Sequence, residues 1–350
     1  MNKVYVLSYT IIGGDYMNII VQKYGGSSVA NKEKLEKVCE NIIAYKNKKC
    51  KLVIVVSAQG NTTDTLVKKA NEYANFPNKR DLDLLLTTGE LQSIALLSMM
   101  LNEKGYNTIS LTGEQAGILS DSEYGKATIK SIYTNNILNH LNNDKIVVVA
   151  GFQAVDKLGN ITTLGRGGSD LSAVAIACAL KAKKCEIYSD IDGIYSADPR
   201  IIPKAKLLKN ISYNEMLEAA TAGAKVLHNR SVNVGKKNKM PIIVKNSQKN
   251  STGSIVEDVT LSNLSSATSE DFEDYSVKFI TKKDNISKIC IVGDMVMSNK
   301  NTIINIFNIA NQERITIYMI SFSELAINII VDSQKATKFM KKLHDSLIPT

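Results

Sequence analysis

The 350-residue sequence contains no tryptophan, and aromatic residues make up only 6% of it. Proteins that bind single-stranded nucleic acids stack bases on aromatic side chains, so this composition argues against such a function. The net charge is +9, yet only five of the 43 basic residues are arginine, and the lysines are scattered along the chain. A nucleic-acid-binding face concentrates its basic residues instead. We therefore expect no nucleic-acid partner and a positive field that suits small anionic substrates.

Cysteine, histidine and long apolar runs are scarce as well. The five cysteines form no C-x-x-C pair, and the three histidines show no metal-ligand spacing. An odd number of cysteines without a signal peptide predicts reduced thiols in the cytoplasm. No apolar run approaches the roughly 20 residues of a membrane-spanning helix, so no membrane association is expected. An apolar stretch within residues 1–16 is broken by glycines, and we expect Met17 to be the natural start.

The most informative stretch runs from residue 145 to residue 200. A β-branched run at 146–149 predicts a buried strand, and Leu158–Asn160 predicts a hairpin turn between segments rich in Val, Ile and Thr. Three glycines within 165–168 then precede an alanine-rich segment with helical character. Glycines before a helix let the backbone approach an anion closely.

Charged side chains surround these glycines. Arg166 places a guanidinium in the predicted anion site, and Asp170 or Ser169 is the predicted N-cap of the following helix. A further strand, 185–189, ends at Asp190 and Asp192, which are placed like carboxylates that serve a metal ion or a nucleotide. The stretch therefore predicts a binding site for an anionic ligand.

Three earlier segments have the same form, a predicted strand or helix that meets a polar loop. The strand 19–23 leads into K-Y-G-G-S-S-V, and the apolar strand 51–57 leads into a hydroxyl-rich loop. A helical stretch at 81–101 is interrupted by T-T-G-E. Ligands of open α/β sheets bind beyond the carboxyl ends of the strands, so these loops belong to one predicted site. The chain contains no G-x-x-x-x-G-K-[ST], so the site is not a P-loop.

Together these motifs resemble the aspartokinase branch of the amino-acid kinase family. The resemblance rests on TTLGRGGSD at 162–170 and YSDIDGIYSADPR at 188–200, in the order that the family has them. It implies a three-layer α/β/α sandwich as the catalytic domain at 17–248 and a linker at 249–274. Residues 275–350 resemble a small ferredoxin-like α+β ACT domain. Aspartokinases usually carry two ACT modules and this chain shows one, which we expect to pair subunits into a homodimer or a higher homo-oligomer.

The resemblance also implies a reaction. ATP, with Mg²⁺, would phosphorylate the β-carboxylate of L-aspartate to 4-phospho-L-aspartate, the first step of lysine, threonine and methionine biosynthesis. A carboxylate is already ionised at pH 7 and needs no general base. The catalyst must instead bring two anions together, which takes positioning and positive charge.

Residue roles follow from the same resemblance. The expected catalytic residues are Lys23 and Asp170. The residues expected to contact the amino acid are Thr63, Glu90, Phe152, Arg166, Gly167, Gly168 and Ser169. Those expected to contact ATP are Lys23, Gly25, Gly26, Ser27, Ser57, Ser189, Asp190, Tyr195, Arg200 and Lys225. No resident metal site is predicted.

Other interpretations of the same residues remain open. Lys23 could be a surface lysine at an ordinary turn, Glu90 a solvated helical residue, and Asp170 a simple N-cap. Asp192 and Asp198 could instead only cap turns, which is the interpretation that we favour for them. At the level of function, the alternatives are a sister amino-acid kinase that acts on another acidic substrate, and a non-catalytic subunit that senses amino acids.

Overall fold

The computed structural model describes residues 18–222, 224, 226–249, 251–258, 280–293, 300–323 and 325–348. The expectations about residues 1–16, about Lys225 and about most of the predicted linker therefore lie outside the described residues. The chain forms two compact units, and the second begins at Lys282.

The first unit is built on a sheet of eight strands, most of them parallel, in the order β12-β14-β13-β9-β1-β2-β6-β3. A smaller four-stranded sheet has the order β5-β4-β7-β8, and β10 pairs with β11. The strands of this unit are β1 (Ile19–Tyr24), β2 (Lys51–Val56), β3 (Thr108–Leu111), β4 (Ile118–Ser120), β5 (Ile129–Ile132), β6 (Ile146–Ala150), β7 (Gln153–Val155), β8 (Ile161–Thr163), β9 (Lys184–Ser189), β10 (Ile194–Tyr195), β11 (Leu207–Leu208), β12 (Asn210–Ser212), β13 (Ile242–Asn246) and β14 (Ser254–Glu257).

Helices cover both faces of the large sheet. They are α1 (Lys32–Lys46), α2 (Thr62–Tyr73), α3 (Lys79–Glu103), α4 (Asn135–Asn142), α5 (Gly168–Ala179), α6 (Tyr213–Ala222) and α7 (Asn229–Asn238). Strand β2, in the middle of the sheet, is apolar on both faces, so both faces need a layer of helices. Val53 and Val55 belong to the core under α4 to α7, whereas Leu52 and Ile54 belong to the core under α1 and α3. The predicted three-layer α/β/α sandwich is confirmed.

Local signals set several helix boundaries. Asn31 caps α1 as predicted, its side chain accepting a hydrogen bond from the N–H of Lys34. Ser212 and Glu215 form the predicted capping box at the start of α6, each side chain bonding the other's N–H at 3.2 and 2.8 Å.

Other local expectations were wrong. The predicted break in α3 at T-T-G-E is absent, because Gly89 lets the helix pass close to Ala58 without interruption. The N-cap of α5 is Gly167 and neither Ser169 nor Asp170. Within the predicted linker, residues 254–257 form β14, which pairs antiparallel to β13.

One helix of the described residues, α3, is long and apolar enough to cross a membrane by length and composition alone. Its apolar face is buried in the first unit, where Ile94, Leu97 and Leu101 belong to the core beneath the sheet. The buried face also carries two carboxylates, Asp83 and Glu90. These features are those of the core helix of a globular unit.

The second unit is smaller. Its elements are β15 (Ile286–Val292), α8 (Lys300–Gln312), β16 (Ile317–Ser323), β17 (Ala326–Asp332) and α9 (Ser333–Leu347). The strands form an antiparallel sheet in the order β15-β17-β16, and its core contains Ile306 of α8, Ile329 of β17 and Phe339 of α9. The described part matches the predicted strand and helix order of a ferredoxin-like module.

Candidate active site

A cavity of about 510 Å³ lies where β1 and β2 end and α5 begins. Ten of the residues predicted for the site line it. They are Lys23, Ser57, Thr63, Glu90, Phe152, Arg166, Gly167, Gly168, Ser169 and Asp170. The parallel strands bring these distant segments to one edge of the sheet, the usual place for a ligand in this architecture.

Lys23 and Asp170 form an ion pair inside this cavity. The Nζ of Lys23, on β1, lies 2.6 Å from Oδ1 of Asp170, and both side chains are only slightly exposed. Asp170 belongs to the first turn of α5, where the helix dipole favours a negative charge. The pair therefore holds the ammonium group in a fixed place at the end of β1.

Two glycines turn the chain sharply around Arg166. Gly165 and Gly167 have φ values of +76° and +67°, a region that glycine adopts far more readily than other residues. Between them Arg166 is exposed at the cavity, and it forms no ion pair with any carboxylate of the described residues. Its guanidinium is free to bind an anion bidentately.

The position of Gly167 leaves no room for a side chain. A Cβ added there would collide with Cβ and Cγ of His228, the N-cap of α7. We expect Gly167→Ala to lose about 2–4 kcal/mol of stability, from the unfavourable φ and from overpacking. The melting temperature should fall by roughly 5–10 °C.

Gly159→Ala is the matched control for this variant. Gly159 also has a positive φ, +81°, but has open space around its Cα. Gly159→Ala therefore measures only the cost of a positive φ at alanine, and its melting temperature should fall less than that of Gly167→Ala. Equal losses in the two variants, measured by thermal denaturation, would contradict the importance of the contact with His228.

Phe152 lines the cavity in a strained conformation. Its φ is +69°, which is unusual for an aromatic residue. Two hydrogen bonds hold it, since its N–H donates to Oγ of Ser172 at 3.1 Å and its carbonyl accepts from the N–H of Leu164 at 2.8 Å. Strain retained in this way is common at functional sites.

Glu90 is almost completely buried, with 2% of its surface exposed. One carboxylate oxygen accepts a hydrogen bond from the N–H of Ala58 at 3.1 Å, and the other, Oε2, is buried without a partner among the described residues. Burial raises the pKa of Glu90 to about 7. A buried acceptor that lacks a partner is costly, so this oxygen is suited to a cationic ligand group.

The two remaining lining residues predicted from the loops come from neighbouring segments. Ser57 directly follows β2, and its N–H donates to the carbonyl of Tyr24 at 3.1 Å. Thr63 lies in the first turn of α2, a helix with no buried residue. Both side chains are partly exposed at the cavity.

The residues predicted to contact ATP are less concentrated. Gly25, Gly26, Ser27, Ser189, Asp190, Tyr195 and Arg200 are not among those that line the cavity. The N–H of Gly25, expected to face phosphate oxygens, donates to the carbonyl of Tyr188 at 3.2 Å. Arg200 is 87% exposed and is paired with Asp198 at 2.8 Å.

Asp198 and Asp192 both accept hydrogen bonds within the protein, Asp198 from its own turn and Asp192 from a distant strand. The side chain of Asp198 accepts a hydrogen bond from the N–H of Arg200, and Asp192 accepts one from Nδ2 of Asn246 at 2.7 Å. Asn246, at the end of β13, was not predicted as part of this region.

The sequence interpretation also missed Asp83. This residue lines the cavity, is 1% exposed and lies seven residues before Glu90, so both carboxylates are on the buried face of α3. Its helical spacing from Leu86, Ile94 and Leu97 places a carboxylate on the buried face of α3, a signal that could have identified it. Burial raises the pKa of Asp83, although hydrogen bonds from Gly125 and Thr163 oppose the shift.

Among the described residues, no group of three or more His, Cys, Asp or Glu side chains is arranged to hold a metal ion. Of the carboxylates that line the cavity, Asp170 is already paired with Lys23. The donor set therefore does not fit a resident metal ion held by the protein alone.

Comparisons with known proteins agree on the family. The profile described as "Amino acid kinase family" matches residues 18–246, and the profile described as "ACT domain" matches residues 289–347. An aspartokinase of Geobacillus stearothermophilus is 37% identical over 94% of this chain and 97% of that protein. Because the alignment has 395 positions, that relative contains a stretch that this chain lacks.

Solved structures of similar proteins have the same fold. The aspartate kinase from Synechocystis is 31% identical, with a TM-score of 0.64 over 94% of this chain and 69% of that one. E. coli aspartokinase III, in complex with lysine and aspartate, gives a TM-score of 0.75 over 94% of this chain and 83% of that one. At 22% identity the second likeness concerns the fold alone.

Proposed function

The chain belongs to the amino acid kinase family and, within it, to the aspartokinases, and on this premise we propose the reaction in detail. It transfers the γ-phosphoryl group of ATP to the β-carboxylate of L-aspartate and releases ADP and 4-phospho-L-aspartate. This product would enter lysine, threonine and methionine biosynthesis. The observation that carries the proposal is the cavity in which Glu90, Arg166 and the Lys23–Asp170 pair converge.

The α-ammonium and α-carboxylate groups of the amino acid are bound by two side chains of opposite charge. The unpartnered Oε2 of Glu90 accepts from the α-ammonium group, and the exposed guanidinium of Arg166 binds the α-carboxylate. Thr63 and Phe152 line the space beside them. With the head fixed at both charges, the length of the side chain decides whether its carboxylate reaches the phosphoryl group.

The chemical step depends on charge rather than on a base. The β-carboxylate is the nucleophile in its ordinary ionised form. Lys23, held by Asp170 at 2.6 Å, supplies a positive charge to the phosphoryl oxygens as negative charge shifts during transfer. The backbone at Gly167–Ser169 begins α5 and directs the positive end of the helix dipole towards the cavity.

ATP use follows from the family, and we propose Mg²⁺ as its companion. Magnesium is often held by phosphates, waters and one or two carboxylates. It would neutralise phosphate charge. We assign it no protein ligand, and no step described above passes through it. Ser57, Ser189 and Asp190, at the ends of β2 and β9, are the proposed contacts of the nucleotide, together with Gly26, Ser27 and Tyr195.

The second unit supports self-association. Among the described residues, β15 and β16 are edge strands, each paired only with β17, and β16 exposes Met319 and Phe322. Unpaired edges with apolar side chains favour pairing with another copy. We propose a homodimer or a higher homo-oligomer through the ACT domain. The five cysteines are free thiols, which supports a cytoplasmic location.

The first test is release of ADP by purified protein with Mg-ATP and either L-aspartate or L-glutamate. We expect turnover with aspartate and little with glutamate, whose carboxylate is displaced by one methylene. In Arg166→Ala, kcat/KM for aspartate should fall about 10- to 100-fold, because a charge-assisted interaction is lost. Turnover with glutamate instead would indicate a sister kinase. Binding of ATP without turnover on either acid would indicate a non-catalytic subunit.

A further inference from the structure

Two segments flank the turn that carries Arg166. One is the end of β8 with the next residue, 163–164, and the other is the loop 125–127 between β4 and β5. They are joined by a backbone hydrogen bond from the N–H of Ala127 to the carbonyl of Thr163, at 2.8 Å. The chain then enters the turn at Gly165, where an added Cβ would lie 3.0 Å from the carbonyl oxygen of Gly125.

Asp83 binds both segments from the side of α3. Its Oδ2 accepts hydrogen bonds from the N–H of Thr163 at 2.7 Å and from the N–H of Gly125 at 2.9 Å. Its Oδ1 accepts a third from the hydroxyl of Thr163 at 2.8 Å. The carboxylate, being acceptor-only when ionised, is matched to these three donors.

Arg230 binds the same two segments from the side of α7. Its guanidinium donates to the carbonyl of Leu164 and, at 2.7 Å, to the carbonyl of Ala127. Thus the carboxylate takes the N–H groups and the guanidinium takes the carbonyl groups of one junction. The planar, bidentate geometry of arginine suits two carbonyls in a way that the ammonium of lysine does not.

We propose that Asp83 and Arg230 are positioning residues. Together they fix the junction between segments 163–164 and 125–127, and so direct Arg166 towards the α-carboxylate of the substrate. The two residues belong to helices that carry other parts of the site. α3 also carries Glu90, and α7 is capped by His228, which packs against Gly167 beyond the turn. The turn is therefore held before and after Arg166, whose exposed side chain lines the cavity. The inference rests on the proposed role of Arg166.

A double-mutant cycle separates positioning from general stabilisation. We expect Asp83→Asn to reduce kcat/KM for aspartate about 10- to 100-fold, chiefly through KM, with little change in the KM for ATP. In an Arg166→Ala background the same substitution should lower kcat/KM less than about threefold, because the guanidinium that Asp83 positions is absent. Losses of the same size in both backgrounds would overturn the proposal.

Arg230→Lys provides the second variant, in case Asp83→Asn does not fold. It keeps the charge but loses the bidentate geometry, so we expect the same rise in the KM for aspartate and the same loss of effect with Arg166→Ala. Asp121→Asn is the matched control, since Asp121 binds the N–H groups of Glu123 and Thr128 and the side chain of Lys130 in and beside the same β4–β5 loop; it acts on Arg230 only as a nearby charge and forms no hydrogen bond to the junction. Its kinetics should stay close to those of the unmodified protein.

Hydrogen exchange gives a readout that needs no substrate. In Asp83→Asn and Arg230→Lys, a peptide covering 163–168 should exchange at least several-fold faster, while one from β13 is unchanged. Unchanged exchange at 163–168 in both variants would overturn the proposal whatever the protein phosphorylates. If exchange rises but the unmodified protein shows no turnover with aspartate, the proposed function fails and the junction remains established.

Discussion

Replacing Lys23 by methionine is expected to lower kcat about 10²- to 10³-fold while changing the KM for aspartate and for ATP much less. Lys23 is the cation at the end of β1, and it contacts the cavity through an ammonium group held 2.6 Å from Asp170. A preorganised charge acts mainly on the charge that develops in the transition state, so its loss appears in kcat. Steady-state kinetics of ADP release at saturating ATP and aspartate measure the effect.

The partner of Lys23 supplies the control. Lys23→Met alone leaves Asp170 as a nearly buried carboxylate without its cation, which costs stability independently of catalysis. The double variant Lys23→Met/Asp170→Asn removes both charges and should recover melting temperature without recovering kcat. If activity returned together with stability, Lys23 would be a structural residue. A rise in the KM for ATP with kcat unchanged would instead assign it to ground-state binding.

The layers of the fold and many of the residues that line the cavity could be predicted because their signals are local. Apolar runs such as 51–56 define buried strands, and parallel strands place the loops that follow them at one edge of the sheet. Asn31 and the Ser212/Glu215 pair are caps that depend on residues within four positions.

What the sequence did not predict depends on long-range contacts. Asp170 has a suitable identity for an N-cap, but it lies in the first turn of α5 and pairs with Lys23 of β1 in the cavity, while Gly167, which lies against His228, is the N-cap. Gly89 does not interrupt α3; because it has no side chain, the helix can pack closely against Ala58. No periodicity within α3 or α7 indicates that Asp83 and Arg230 meet the same two segments.

Most of the residues predicted to contact ATP are not brought together in the cavity. The predicted residues follow β1 and β9, but some of their polar groups are already engaged within the protein: the N–H of Gly25 donates to Tyr188 on β9, and Arg200 pairs with Asp198 two residues away. Glycine-rich and aspartate-rich loops fit a phosphate site and an ordinary turn equally well, because both need the same backbone freedom and the same short acceptors. Only the partners of each group distinguish the two, and these are set by the tertiary fold.

The binding of aspartate should depend on pH, because the fold buries Glu90 and raises its pKa. Its pKa in the free protein is about 7, raised from an ordinary value of 4.5 by burial. The α-ammonium of the substrate binds the ionised carboxylate, so kcat/KM for aspartate should rise about tenfold per pH unit below 7 and level off above it. Bound substrate stabilises the ionised form, so kcat at saturation should vary less over the same range.

Glu90→Gln removes this titration while keeping the shape of the side chain. Losing one member of a buried, hydrogen-bonded charge pair costs about 2–5 kcal/mol, so kcat/KM for aspartate should fall about 30-fold or more at pH 8. Its profile from pH 6 to 8 should be flatter, and since ATP titrates equally in both proteins, the difference between the profiles isolates Glu90. Parallel profiles would show that Glu90 does not hold the ammonium group.

The same shift predicts how stability depends on pH. Between pH 4.5 and 7 the folded protein keeps the proton of Glu90 and the unfolded chain releases it, so the stability contributed by this group is present at low pH and is lost as pH rises through 7. A shift of this size corresponds to a change on the order of 3 kcal/mol. Melting temperatures should therefore decline from pH 5 to pH 8 more in the unmodified protein than in Glu90→Gln. Saturating aspartate should reduce that decline, because its ammonium group supplies the partner that the buried Oε2 lacks in the free protein.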